Sequence, residues 1–262
     1  MNRGDTMPDH KLKEIANLMV KSKNTVVVTG AGISTEAGIR DFRGKDGIYT
    51  QLGEAYVTGI IHINTFRRDP EKFYAFYRKY FTLPKVRPSL AHEILAEMER
   101  NNRIQAIVTQ NVDGLHQKAG NQKVFAIHGS RSRYICTGDE CTCFYDADYV
   151  ENYPEVVPRC SVCGSVLKPD VVLFGENIKE YGSAYDAVMG ASLLLVIGTS
   201  LAVYPIAGFV REYALAQGKM IIINKGPTEL DSLALIKIDV ENTGETLKKI
   251  NRYYSDIIAR VN

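Results

Sequence analysis

Val26-Val27-Val28-Thr29-Gly30-Ala31-Gly32-Ile33-Ser34 joins a β-branched run to a glycine turn, and the rest of the chain can be read outward from that junction. A short apolar strand feeding such a turn is how a parallel sheet delivers its backbone to a phosphate. The dinucleotide fingerprint of dehydrogenases asks for a third glycine three residues after the second. Thr35 stands there, and the next glycine is Gly38. Nor does an acidic residue about 20 positions on close a second strand, because Asp41-Phe42-Arg43-Gly44 turns the chain into polar loop. The segment reads as a nucleotide cradle that handles its ribose by another device.

Further strands are expected at 104–109, 124–127, 193–197, 220–223 and about 235–240, beside 25–29. Their nearly continuous apolar character suits strands covered on both faces. Helical spacing marks 11–22, where Leu12, Ile15, Ala16, Leu18 and Met19 share a face, and also 89–101, 183–190, 204–217 and 243–259. This alternation predicts a doubly wound α/β core with a mostly parallel sheet. Two stretches depart from it. Residues 45–87 carry Phe66, Phe73, Tyr74, Phe76, Tyr77, Tyr80 and Phe81 without a strand signal, and read as a helical insertion plus a loop. Residues 131–167 are turn-rich and hold all five cysteines. The expected division is a nucleotide-binding domain of 8–44, 88–130 and 168–262, and a small discontinuous domain of 45–87 and 131–167.

Cys160-Ser161-Val162-Cys163-Gly164 is one half of a zinc ribbon, two thiolates with a turning glycine. Cys136, Cys141 and Cys143 compete for the other half. Cys141 and Cys143 are one residue apart, too tight for a single knuckle, so the expected ligands are Cys136, Cys141, Cys160 and Cys163. Four thiolates close the coordination sphere, which makes the metal structural.

Polar residues crowd the ends of the expected strands, where an open α/β sheet binds its ligand. Strand 104–109 runs into Gln110-Asn111-Val112-Asp113-Gly114-Leu115-His116, and strand 124–127 into His128-Gly129-Ser130. Histidine titrates near neutrality and can take a proton from a sugar hydroxyl; among five histidines, His128 at a strand end is the expected base. His116 is expected on a helix in a packing role, His92 in the 89–101 helix, His10 in the terminal arm, and His62 is left open. Strand 193–197 ends in Gly198-Thr199-Ser200, offering amides and hydroxyls to a phosphate or ribose, and strand 220–223 in Asn224-Lys225-Gly226, suited to an adenosine. Pro169 to Glu176 is an extended apolar run whose edge can accept a peptide by strand addition, or is an ordinary core strand.

The chain has 262 residues, 45% hydrophobic and 24% charged, with a net charge of +2. That balance is ordinary for a globular protein and gives no field for nucleic acid or an anionic membrane. The first residues lack the apolar core of a signal peptide, and no apolar run approaches the roughly 18 residues that span a bilayer. A cytoplasmic location is the expectation, with cysteines serving as ligands rather than disulfides.

Together, Gly30-Ala31-Gly32-Ile33-Ser34, Asp41-Phe42-Arg43, Gln110-Asn111-Val112-Asp113, His128-Gly129, the paired cysteines, Phe174-Gly175-Glu176, Gly198-Thr199-Ser200 and Asn224 resemble the sirtuin family of NAD-dependent protein deacylases, in the family's order over about residues 11–255. The resemblance implies a Rossmann-like domain with a small domain of zinc ribbon and helical insertion, a structural zinc, and NAD consumed as co-substrate. The acyl-lysine carbonyl oxygen would attack the nicotinamide ribose carbon; His128 would then act as base on a ribose hydroxyl. Gln110 and Asn111 would hold the ribose and a water, and Asp113 the nicotinamide carboxamide, with Ala31, Ile39 and Val112 around it. Phe42 would shield the reactive face, and Arg43 would meet the pyrophosphate. Gly30, Gly32, Ser34, Thr35, Asp41, Gly198, Thr199, Ser200, Asn224 and Lys225 complete the implied NAD contacts. The substrate peptide would meet Val171, Val172, Phe174, Gly175, Glu176 and Val203. The four-residue gap from Cys136 to Cys141 is wider than the family's usual two. Sirtuins that prefer acidic acyl groups carry a tyrosine with an arginine three residues on in the insertion. Here Tyr74, Tyr77 and Tyr80 are followed at that spacing by Tyr77, Tyr80 and Leu83, so uncharged acyl groups are expected. The rival readings are protein mono-ADP-ribosyl transfer in the same cradle and a non-catalytic NAD- or zinc-ribbon binding module.

Overall fold

A computed structural model describes residues 9–41, 47–81 and 85–261. In chain order the strands are β1 (Thr25–Thr29), β2 (Ala106–Thr109), β3 (Val124–Ala126), β4 (Gly129–Cys136), β5 (Phe144–Asp146), β6 (Leu167–Val171), β7 (Leu193–Ile197), β8 (Met220–Asn224) and β9 (Ile236–Asp239). The helices are α1 (Asp9–Lys21), α2 (Ile48–Leu52), α3 (Glu54–Ile60), α4 (Ile63–Arg68), α5 (Pro70–Phe81), α6 (Leu90–Arg100), α7 (Leu115–Ala119), α8 (Ala147–Glu151), α9 (Tyr181–Met189), α10 (Ile206–Leu215) and α11 (Thr243–Val261).

Six strands form one sheet in the order β3-β2-β1-β7-β8-β9, with every pairing parallel. Every residue of β1, β2, β7 and β8 is buried, which is why these strands read as unbroken apolar runs. Strand 104–109 is shorter than its hydrophobicity implies and begins at Ala106. Before it, the Gln105 side-chain oxygen accepts the Thr25 amide at 2.6 Å, and Ile104 stays buried outside the ladder.

Leu12, Ile15, Ala16 and Met19 are the buried residues of α1. They pack with Leu95 and Met98 of α6 and Leu247 and Ile250 of α11 on one face of the sheet. Ala184 and Val188 of α9 and Ile206, Phe209 and Val210 of α10 cover the other. The chain leaves β1 toward β2 and β3 and returns to lay β7 on the far side of β1. The order therefore reverses between β1 and β7, and the crevice beyond their carboxyl ends is where such sheets bind ligands.

The insertion folds as four helices, α2 to α5. The aromatic series is its core: Phe73 and Tyr77 stack at 5.3 Å, Tyr77 and Phe81 at 5.6 Å, and Phe66 meets Phe73 edge-on. Tyr80 stays exposed. The cysteine segment forms an antiparallel sheet, β5-β4-β6. The two excursions share one apolar cluster, in which Phe73, Tyr74 and Tyr77 pack with Tyr134, Val150, Cys160 and Leu167. The Tyr74 hydroxyl donates to the Leu167 carbonyl across that boundary. Among the described residues no helix is long and apolar enough to cross a membrane.

Candidate active site

The glycines of the first motif are demanded by the meeting of two loops. The Gly32 amide donates to the Gly198 carbonyl at 2.8 Å and the Gly30 amide to Ile197 at 3.2 Å. A Cβ on Gly30 would lie 2.6 Å from the Thr199 Cβ, and one on Gly32 2.8 Å from the Gly198 Cα. Gly198 itself has φ +62, with Ile33 N 2.5 Å from where a side chain would start. Only three glycines let the β1 and β7 loops interlock at the point where the sheet order reverses. After Gly30 the chain makes a 3₁₀ helix, Ala31–Ala37, closed by Gly38 at φ 85. Thr35 is exposed and donates to the Gly32 carbonyl at 2.9 Å. The Ile39 amide donates to Ser34, and Ile39 and Asp41 are half-buried. Phe42 and Arg43 lie outside the described residues.

A polar web fills the floor. The buried Asn111 donates both N–H groups, to the Gly30 carbonyl at 3.0 Å and to Ser34 Oγ at 3.2 Å. Ser34 Oγ donates to Asp113 Oδ2 at 2.7 Å, while Asp113 Oδ1 accepts the Leu115 amide at 2.9 Å and so starts α7. With its donors spent, the Asn111 amide can offer a ligand only its oxygen. Each Asp113 oxygen retains a lone pair for an N–H such as that of a carboxamide.

Gln110 supports the base. Its carbonyl lies 3.0 Å from His128 Nδ1, and a carbonyl can only accept, so Nδ1 carries the proton and Nε2 presents its lone pair. Burial pushes the His128 pKa below the ordinary 6.5, opposed by that same backbone bond. The imidazole is neutral at physiological pH, as a base must be.

Beneath the web lies a buried polar chain that the sequence did not announce. The Asn111 amide donates to Thr109 Oγ1 at 3.1 Å, Thr29 Oγ1 donates to Thr109 Oγ1 at 2.8 Å, and Thr29 lies 2.9 Å from His116 Nε2. The His116 ring meets His92 edge-on at 4.7 Å, and His92 Nδ1 lies 2.8 Å from Ser89 Oγ. Burial holds both imidazoles neutral, pushing His92 down to about 4 and His116 to about 3. Threonines facing each other across two parallel strands were the available signal.

On the far side of the crevice, Gln110 Nε2 reaches Thr199 Oγ1 at 3.4 Å, and Ser200 is exposed beside it. Asn224 at the end of β8 turns its amide back to the Lys225 and Gly226 carbonyls, and the Gly226 amide donates to Asp239. Lys225 is exposed and pairs with Glu241 at 2.6 Å. The donors and acceptors left along this crevice fit a dinucleotide: a polar floor, hydroxyls at the β7 end and an open rim at β8.

The run 169–176 divides in two. β6 is a core strand paired with β4, Gly129 opposite Val171. Gly129, at φ +80, presses so close to the Asp170 carbonyl that a Cβ would lie 2.1 Å from it. Val172 continues the contact, its amide donating to the His128 carbonyl at 2.8 Å. Phe174 then bonds to Ile61 and Ile63 of the insertion through its amide and carbonyl, so the run offers less free edge than an isolated strand. Gly175 sits against the His62 ring, and His62 caps α4 by accepting the Asn64 amide at 3.0 Å. Glu176 accepts the Leu173 amide at 2.8 Å and pairs with the buried Lys168 at 3.0 Å. Val203 is half-buried after β7.

Cys136, Cys141, Cys160 and Cys163 bring their sulfurs within 4.8 Å of one another. Cys136 and Cys163 are 3.3 Å apart and Cys141 and Cys160 3.7 Å, near the ~3.8 Å edge of a tetrahedron with Zn–S bonds of about 2.3 Å. The donor set fits a structural zinc. Cys143 is not among these four, although its thiol interacts with those of Cys141 and Cys160. Cys160 is buried among the aromatic residues of the insertion, so the metal site is continuous with that core.

A family model described as the Sir2 family matches residues 30–205. The NAD-dependent protein deacetylase of Clostridium perfringens is 38% identical over 246 residues, covering 92% of this chain and 99% of the relative. That of Thermotoga maritima is 39% identical over 236 residues, covering 88% and 94%. A solved Sir2 structure holding a deacetylated p53 peptide and 3'-O-acetyl ADP ribose is 36% identical, with a TM-score of 0.83 over 92% of this chain and 97% of that one.

Proposed function

The chain belongs to the Sir2 family, and from that premise we propose that it removes acyl groups from protein lysines, passing them to the ADP-ribose of NAD and releasing nicotinamide. The observation that carries this reading is the His128 tautomer: Nδ1–H held by the Gln110 carbonyl, Nε2 free, and burial keeping the ring neutral. NAD supplies a ribose carbon from which nicotinamide can leave and hydroxyls that can take over the acyl group. His128 Nε2 accepts the proton from one hydroxyl. The Asn111 oxygen and Gln110 orient the ribose and a water. Asp113, fixed by Ser34 and Leu115, accepts from the carboxamide, with Ala31, Ile39 and Val112 beside it.

Gly30, Gly32 and Thr35 shape the turn against the phosphates; Gly198, Thr199 and Ser200 face the pyrophosphate and ribose, and Asn224 and Lys225 the adenosine; Asp41 belongs to the same NAD-contact set, in which the family resemblance gives Phe42 the role of shielding the reactive ribose face and Arg43 that of meeting the pyrophosphate. Val171, Val172, Phe174, Gly175 and Val203 flank the peptide, with Glu176 acting through Lys168 to set that segment's path. The division into 8–44, 88–130 and 168–262 against 45–87 and 131–167 follows the shared aromatic cluster, although β4 and β6 run across both junctions. Four thiols held for a metal suit a reducing compartment, and we assign the protein to the cytoplasm.

Incubation with NAD and an acetyl-lysine peptide tests the reading. One nicotinamide released per lysine freed supports it. ADP-ribose attached to protein without deacylation favours mono-ADP-ribosyl transfer instead, and an inert enzyme at saturating NAD favours a binding module.

A further inference from the structure

The loop after β2 carries Gln110, Asn111 and Asp113, and the chemistry above uses none of the groups packed beneath it. Those groups are Thr29, Thr109 and His116, each no more than 2% exposed. Thr29 and Thr109 face each other in the register of β1 and β2, and the Thr29 hydroxyl donates to Thr109 Oγ1 at 2.8 Å. That spends the single proton of Thr29. The 2.9 Å contact between Thr29 Oγ1 and His116 Nε2 therefore needs the imidazole to donate. Burial keeps the ring neutral, so its one proton sits on Nε2. The chain runs in one direction, from His116 to Thr29 to Thr109, whose oxygen also accepts the Asn111 amide at 3.1 Å.

Beyond His116 the chain closes on itself. The His92 ring meets that of His116 edge-on, His92 Nδ1 lies 2.8 Å from Ser89 Oγ, and Ser89 Oγ donates to the Ile33 carbonyl at 3.1 Å. Ile33 precedes Ser34, whose hydroxyl joins Asn111 to Asp113. The polar contacts thus pass from the glycine turn under β1 and β2 and back to the glycine turn.

His116 acts on the loop from both ends. Its ring holds the Asn111 backbone through the two threonines. Its helix, α7, starts at Leu115, whose amide donates to Asp113 at 2.9 Å. Midway, the Arg131 amide donates to the Val112 carbonyl at 2.9 Å. β2 stops at Thr109, so no ladder sets the path of Asn111 and Asp113, and these contacts do. Valine would suit both strand positions as well and would spare two buried hydroxyls. A displacement of about 1 Å at a reacting centre is enough to cost roughly 10²-fold.

We propose that His116, Thr29 and Thr109 are positioning residues for NAD: together they fix the Asn111 backbone, and with it the Asn111 oxygen and the Asp113 carboxylate that meet the ribose and the nicotinamide carboxamide. None of the three touches the dinucleotide. This rests on the lysine-deacylase reading, and it gives the buried imidazole a task in binding rather than in proton transfer.

The test measures, on the full chain, KM for NAD, KM for an acetyl-lysine peptide and the inhibition constant of nicotinamide. Thr109→Val keeps the side chain's shape and removes the acceptor of the Asn111 amide. It is expected to raise KM for NAD and the nicotinamide constant together by about 5- to 50-fold, the range for one lost buried hydrogen bond, with KM for the peptide within about twofold. Thr109→Ser keeps the hydroxyl and is expected to restore both constants. A merely structural threonine would reverse that order, since serine opens a cavity and valine does not. His116→Phe and Thr29→Val each raise the same two constants, and combining them adds nothing beyond the larger single effect, because both break one chain. Unchanged constants in Thr109→Val, no rescue by serine, or full additivity of the pair overturns the proposal and leaves deacylation standing. A wild-type enzyme inert toward the peptide overturns the deacylase reading instead. Calorimetry with NAD then decides the positioning role: affinity lost in Thr109→Val and regained in Thr109→Ser supports it, and equal affinities overturn it. Should Thr109→Val not fold, His116→Phe and Thr29→Val, singly and combined, decide.

Discussion

Asn111, Ser34 and Asp113 are held by one another and by the backbone of Gly30 and Leu115. Cys136, Cys141, Cys160 and Cys163 are gathered at the tips of short strands and turns, facing one another's sulfurs. The first site grows from the loops that leave a parallel sheet buried on both faces, whose strand register brings those loops together. The second grows from a three-stranded sheet with exposed Phe144 and Val162 around it, too small to bury much apolar area of its own. One region is shaped before any ligand arrives; the other is completed by one.

Removing the metal strikes hardest at that difference. A structural zinc contributes on the order of 10 kcal/mol or more to the fold it closes. Chelation, or Cys160→Ser, is expected to open residues 131–167 to protease while the α/β core keeps its helical signal. Full protease resistance after verified zinc loss would show that the aromatic cluster alone holds the module. Next in size is the crevice's own chemistry. His128→Ala is expected to retain NAD in calorimetry while turnover falls roughly 10²–10⁴-fold; near-normal turnover would remove His128 from its role. Because burial depresses the His128 pKa, the acid limb of kcat/KM should fall below pH 6.5, and a limb above 7 would contradict a desolvated base.

The histidine pair beneath the crevice gives a third test, by acid. His92 and His116 are pushed down to about 4 and about 3, so the unfolded chain binds protons that the folded one refuses. Their contribution is fully present above about pH 6.5 and is lost as pH falls toward those values, by roughly 3–5 kcal/mol for each histidine. Replacing His116 by glutamine should flatten that slope in urea melts; an unchanged slope would assign it to other groups. The smallest effect belongs to Asn111→Ala. It leaves the Gly30 carbonyl without its donor and is expected to cost ~1–3 kcal/mol in denaturant melts.

Legibility followed the same division. The parallel core was readable because both faces of β1, β7 and β8 are buried and their runs are apolar without interruption. His128 and Asp113 were singled out because they follow the ends of β3 and β2. The cysteine cluster was readable from spacing, which singled out the four thiols that the fold gathers. The aromatic helices showed as composition but not as a core, since their partners Tyr134, Cys160 and Leu167 come from a distant part of the sequence. Arg131 was invisible for the same reason. No arginine stands three residues after a tyrosine in the insertion, yet strand β4 brings one over Tyr77. The glycine motif was legible as a turn, while its cause, the interlocking of Gly30 and Gly32 with Gly198, was not.

The sequence by itself determined what is local or periodic: strands long and apolar enough to be buried, helices with one apolar face, paired thiols, and polar residues where strands stop. Such features need only the chain's immediate neighbourhood. The tertiary structure decided what depends on residues far apart in the chain. It set which tautomer His128 holds, which imidazoles are kept uncharged, and which arginine is buried over Tyr77. Burial and electrostatic environment belong to the packed molecule, and no residue carries them alone.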